Sequence, residues 1–142
     1  MRQTILALTL ALSGTAAQAA DIVMHRSAGC GCCLKWVEKM VEAGHEVDVV
    51  NEADLMAFKA KHGVPMGLAS CHTSLVGGYV VEGHVPAADI ERLLAEKPEA
   101  VGLFVPGMPM GSPGMEHGDH VQPYNVLLLK ADGTYEIWAS HG

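Results

Sequence analysis

Three cysteines within four residues, Cys30-Gly31-Cys32-Cys33, constrain this chain more than any other feature of it. Neighbouring cysteines such as Cys32 and Cys33 rarely bridge each other, because closure strains the peptide between them, so the group does not read as structural staples alone. Cys30 and Cys33 form a C-x-x-C motif at the start of an apolar periodicity. From residue 32, apolar side chains recur at Cys33, Trp36, Val37, Met40 and Val41, which is helical spacing, and Gly44 supplies a stop. Residues 21–25, D-I-V-M-H, read as a short strand, and residues 26–31 as a small, glycine-bearing loop. The thiols therefore sit where a strand turns into a helix. A helix N-terminus presents free N–H groups and a positive dipole end, both of which favour a thiolate. A thiolate is the better nucleophile and also the better metal ligand, so the motif alone leaves redox catalysis and metal binding open.

The rest of the chain alternates strands and helices. Residues 46–51 have strand character, and Asp54 is placed to cap a second helix that turns Leu55, Ala57 and Phe58 inward and stops at Gly63. A third strand is predicted over 66–71 and a fourth over 79–82, separated by a turn at Gly77-Gly78. Pro86 opens a third helix with Ile90, Leu93 and Leu94 on one face. Residues 105–123 show no period and are rich in Gly and Pro, and a hairpin over 124–139 follows, closed around Asp132-Gly133. The order β-α-β-α-β-β-α, with C-x-x-C between the first strand and its helix, is similar to the thioredoxin fold. The expectation is an α/β, thioredoxin-like domain over 21–142, with a C-terminal methionine-rich loop and β-hairpin extension. On that resemblance Pro65 is a candidate cis residue beside the cysteines.

Residues 1–20 read differently. A positive start at Arg2, an apolar run over 5–12 and the A-x-A site Ala17-Gln18-Ala19 make a secretory signal peptide, too short to span a bilayer. The expected location is the periplasm, with no membrane insertion after cleavage. With 9 Lys+Arg against 16 Asp+Glu, the net charge of −7 disfavours a nucleic-acid backbone as partner.

Cys32 weighs between the two chemistries. A dithiol oxidoreductase needs two thiols, and a third between them invites scrambled disulfides. A soft ion such as copper(I) instead gains from each added thiolate or thioether. Cys71 is either a further ligand or a buried thiol or disulfide partner. Met108, Met110 and Met115 lie in P-G-M-P-M-G-S-P-G-M, where prolines fix the backbone and no helical face buries the thioethers, so they are copper-ligand candidates. Met24, Met40, Met56 and Met66 are better read as packing. His25, five residues before Cys30, is a secondary ligand candidate, and His72 and His84 fall near the same face. His117 and His120 form an H-x-x-H pair of the kind usually solvated. Zinc is the weaker reading, because it favours four Cys/His ligands in paired spacings and only one C-x-x-C exists.

Taken together, Gly29-Cys30-Gly31-Cys32-Cys33 with Trp36, Ser70-Cys71-His72-Thr73, Gly77-Gly78-Tyr79, Glu82-Gly83-His84-Val85-Pro86 and the blocks 106–109 and 114–116 resemble the CopG-like periplasmic copper-resistance family. The resemblance spans nearly all of residues 21–142. It implies a thioredoxin-like domain that binds copper through the cysteine motif, alongside other envelope copper-handling proteins. Residue by residue it carries the thiol motif to Cys30, Cys32 and Cys33, the second cysteine block to Cys71, and the methionine loop to Met108, Met110 and Met115. Copper(I) binding, with interconversion of copper(I) and copper(II), is the expected function, and a thiol-disulfide oxidoreductase of the envelope is the alternative.

Overall fold

The computed structural model describes residues 20–142, so the signal-peptide reading of the first residues lies outside it. The elements run β1 (Asp21–Arg26), α1 (Gly31–Glu42), β2 (Glu46–Asn51), α2 (Leu55–Lys61), a 3-10 turn (Met66–Leu68), β3 (His72–Val76), β4 (Tyr79–Glu82), α3 (Ala87–Glu96), β5 (Gly102–Phe104), β6 (Tyr124–Leu129) and β7 (Tyr135–His141). One seven-stranded mixed sheet has the order β2-β1-β3-β4-β5-β6-β7. β1 pairs with β2 in parallel, as a strand-helix-strand unit requires, and β3 returns antiparallel on the other side of β1.

Successive strand residues point to opposite faces, and the sheet uses both. Val81, Leu103 and Leu128 join Cys33, Trp36 and Met40 of α1 and Ile90 and Leu93 of α3 in the main core. Their neighbours Val80, Phe104 and Leu129 turn the other way, into a smaller cluster with Val64. Helix α1 is set by this burial. Cys33, Trp36 and Met40 are almost wholly inaccessible, whereas Val41 is 55% exposed, so the buried stripe is narrower than the sequence suggested. Asp54 caps α2 as expected, its side chain accepting from the Ala57 N–H at 2.9 Å.

Three expectations are corrected. The third strand begins at His72, not at residue 66, because Met66–Leu68 turns as a 3-10 segment and delivers Cys71 to the mouth of β3. No cis peptide bond occurs among the described residues, so Pro65 is trans. A strand between α3 and the hairpin, β5, was not anticipated. It has only three residues and runs parallel to β4, so that Gly102 lies opposite Val80. A Cβ at Gly102 would run into the Val80 carbonyl, which explains the glycine.

Candidate metal centre

Each cysteine is placed by its own local structure. At the end of β1 the buried guanidinium of Arg26 donates from Nε to the Ser27 carbonyl at 3.0 Å, and from Nη2 to the Ala28 carbonyl, which folds the 27–29 loop back on the strand. The Cys30 N–H donates to the Ser27 carbonyl at 3.0 Å and closes that loop. Cys30 is the N-cap of α1, so Cys32 and Cys33 fall in its first turn, where the amide N–H groups have no intrahelical partner. Cys30 and Cys33 are joined as a disulfide, and Cys32 and Cys71 are free thiols.

Cys32 stands between the disulfide and Cys71. Its sulfur lies 3.6 Å from Cys30 Sγ and 3.9 Å from Cys71 Sγ. Cys71 Sγ in turn lies 2.9 Å from His84 Nε2 and 3.3 Å from His72 Nδ1. His84 Nδ1 is 2.8 Å from the Pro113 carbonyl, an acceptor only, so Nδ1 carries the proton and Nε2 offers its lone pair to Cys71. Among the described residues, two groups of side chains bring their ligand atoms within 4.8 Å of one another: Cys30, Cys32, Cys33 and Cys71, and Cys71, His72 and His84. Cys71 belongs to both.

The surroundings favour neutral groups. Burial, and then the Cys32 thiol, push the Cys71 thiol up to about 12. Burial holds His72 well below the ordinary imidazole range, with His84 and Lys59 adding to the effect. Burial also lowers His84, partly opposed by the Pro113 carbonyl and by Glu116. Both rings are therefore uncharged near neutral pH and able to act as ligands.

The methionine loop lies over this group. Gly114 has φ +85°, and a Cβ there would stand 2.6 Å from Trp36 N and 3.1 Å from the Cys32 carbonyl oxygen, so the loop rests directly on the first turns of α1. The loop is built by its own bonds: Ser112 Oγ donates to the Pro109 carbonyl at 2.7 Å, Met115 N–H to Ser112 O at 2.8 Å, and Gln122 N–H to Met110 O at 2.8 Å. An open cleft of about 500 Å3 is lined by Cys32 together with Met108, Met110, Met115 and His117. Met108 and Met110 are 52% and 40% exposed, so their thioethers are not core filling.

The fold thus gathers Cys30, Cys32, Cys33 and Cys71, and sets Met108, Met110 and Met115 on the same cleft as Cys32. It does not bring His25 to them. That ring stacks on Phe58 at 3.8 Å and meets Glu52 Oε1 at 2.7 Å through Nδ1, on the side of β1 that faces α2, so its sequence proximity to Cys30 is misleading. His84 was the residue to single out instead. Its signal was the block Glu82-Gly83-His84, where a glycine with φ +76° turns the chain so that His84 meets Cys71. Nothing in the sequence announced that Lys59 would be buried beside Glu82 under the same segment.

A family profile described as a protein of unknown function, DUF411, matches residues 68–115. Comparison with curated proteins gives no match. Among solved structures, copper resistance protein CopG in its form 2 is 45% identical, with a TM-score of 0.84 over 88% of this chain and 100% of that one. Its form 1 is likewise 45% identical, with a TM-score of 0.83 over 87% and 98% of the two chains. The chain belongs to the CopG copper-resistance protein family. For a CopG-family chain, the gathered thiols form a group that could hold a metal ion. The donor set is soft throughout: thiols, a neutral imidazole, and thioethers at the rim. The ligand count no longer speaks against zinc, since the fold supplies a fourth thiol and His84; the thioethers, poor ligands for zinc, still do.

Proposed function

We propose that this chain is an exported, periplasmic copper-binding protein of copper homeostasis or resistance, with a signal peptide over 1–20 and a thioredoxin-like domain over 21–142. The order β2-β1-β3-β4, with β3 antiparallel to β1 and C-x-x-C at the start of α1, supports the thioredoxin-like reading. Copper(I) is the cargo. Reduced Cys30, Cys32, Cys33 and Cys71 bind it with His84, and Met108, Met110 and Met115 receive it at the cleft. The observation that carries this reading is the convergence of four sulfurs with three methionines around Cys32. Exchange of copper with other envelope copper-handling proteins follows from the exposed thioethers, which bind softly and release readily.

The Cys30–Cys33 disulfide couples cargo to redox state. As a disulfide, the pair offers no thiolate, and Cys32, Cys71 and His84 remain. Two electrons and two protons restore both thiols. Conversely, oxidation of the dithiol to the disulfide releases two electrons and two protons, enough to reduce two copper(II) ions to copper(I). The same disulfide is what favours the second reading, a thiol-disulfide oxidoreductase of the envelope. An insulin-reduction assay separates the two. Copper binding without turnover supports the first. Strong turnover, lost on Cys30→Ser while copper binding persists, supports the second.

A further inference from the structure

Beneath the strand that carries Cys71 lies an ion pair with almost no access to water. Lys59 is 1% exposed and Glu82 0%. Lys59 Nζ meets Glu82 Oε1 and donates to Thr73 Oγ1 at 2.9 Å. The Glu82 carboxylate has two further partners. Oε1 accepts the Ser70 N–H at 2.6 Å, and Oε2 accepts the Thr73 hydroxyl at 2.6 Å. One carboxylate therefore grips the chain on both sides of Cys71-His72, at the residue before and the residue after.

Burying two charges costs more than an apolar pair of the same shape, so the pair is weak evidence for stability alone. Its geometry suggests another reason for it. Glu82 closes β4 two residues before His84, so the same side chain ties the Cys71 segment to the segment that supplies the imidazole. Ser70, held by its N–H to Glu82, donates from its hydroxyl to the Gly107 carbonyl at the start of the methionine loop. The Gly107 N–H returns to the Ala69 carbonyl at 3.2 Å. Gly83 must be a glycine for this to fit, since a Cβ there would stand 2.5 Å from Ser70 Oγ and 2.6 Å from the Val105 carbonyl oxygen. Cys71, His84 and the first residues of the loop thus meet at one buried post.

We propose that Glu82, held by Lys59, is the positioning residue of the metal centre: by fixing Ser70 and Thr73 it sets Cys71 against Cys32 and His84 and so decides whether Cys71 joins the bound metal. This rests on the copper-binding reading above, since it concerns how that site is assembled.

The test is site-resolved alkylation, read by mass spectrometry on the reduced protein with and without copper(I), beside an affinity titration against a competing chelator. Glu82→Leu with Lys59→Met removes both charges and the grip while keeping apolar volume. The expected result is a fall in affinity of about 10–100-fold. In the copper-loaded variant Cys71 is then alkylated, while Cys30, Cys32 and Cys33 stay protected. Glu82→Gln retains an oxygen acceptor for Ser70 and restores Cys71 protection, a rescue that general loss of stability does not give. Thr73→Val, which removes one hydroxyl, exposes Cys71 partially and serves as the reading should the double variant not fold. Cys71 protected as in the unaltered protein in folded Glu82→Leu/Lys59→Met, or in Thr73→Val, overturns the proposal. An unaltered protein in which copper(I) protects none of the four thiols overturns the copper reading instead.

Discussion

The fold changes the acidity of the Cys71 thiol. Its ordinary value of 9.0 rises to about 12, first through burial and then through the Cys32 thiol beside it. The folded protein therefore favours the protonated form. That contribution to the stability of the reduced protein is full below about pH 9 and is lost as pH climbs toward 12. The thiolate is the reactive species, so the iodoacetamide rate at Cys71 should keep rising beyond pH 10 where an ordinary thiol has levelled off. Cys32→Ser removes a cause of the shift and should move that profile to lower pH, which peptide-resolved alkylation checks. A profile at Cys71 that levels near 9 contradicts the burial argument. His84 is the second decisive residue, because its two nitrogens join Cys71 to the methionine loop at Pro113. His84→Ala leaves the Pro113 carbonyl without its donor and should cost about 1–3 kcal/mol. Thermal unfolding reads that loss, and a chelator competition should show weaker copper binding in the same variant.

At the scale of elements, the methionine loop and α1 act as two jaws that close on Cys32. Gly114 is the contact point, so Gly114→Ala forces both a left-handed residue and a clash with Trp36 N. The expected cost is about 1–3 kcal/mol by unfolding in urea, with weaker copper retention. The combined change of Met108, Met110 and Met115 to Leu should leave thermal stability nearly unaltered, since two of the three are substantially exposed, and should lower copper affinity. A large fall in the melting temperature with unchanged affinity would make these residues packing. Helix α1 and its cysteines were legible in the sequence because local periodicity and the C-x-x-C spacing fix them. So were the Asp54 cap and the shaped loop, whose Gly and Pro residues restrict the backbone without help from elsewhere. The start of β3 was not. The apolar run after Pro65 reads as a strand, and only the pairing of His72 with Arg26 across the sheet sets where it begins. β5 escaped for a related reason: three residues carry no periodicity, and their partner is β4, about twenty residues back in the chain.

Across the whole molecule the site is a product of convergence. Cys30, Cys32 and Cys33 come from one junction, Cys71 and His84 from the two ends of the β3-β4 hairpin, and the thioethers from a loop inserted between β5 and β6. Sequence reading grouped the cysteines and methionines as candidate ligands, but among the histidines near the thiols it singled out His25 and left His84 unassigned. Distance along the chain is a poor guide when a mixed sheet brings residues 39 apart to within 3.9 Å, as for Cys32 and Cys71. Lys59 was illegible for the same reason, since its partner Glu82 lies 23 residues on and a lysine on a short helix reads as surface. Among the described residues no helix is long and apolar enough to cross a membrane. The most direct test of the central claim is an anaerobic copper(I) titration of residues 21–142, fully reduced, against a competing chelator, repeated with Cys32→Ser and Cys33→Ser together. Tight binding that collapses in the double variant, and that is also weakened while the Cys30–Cys33 disulfide is intact, is the expected result. Weak binding by the unaltered protein, or binding indifferent to those two serines, would contradict the account.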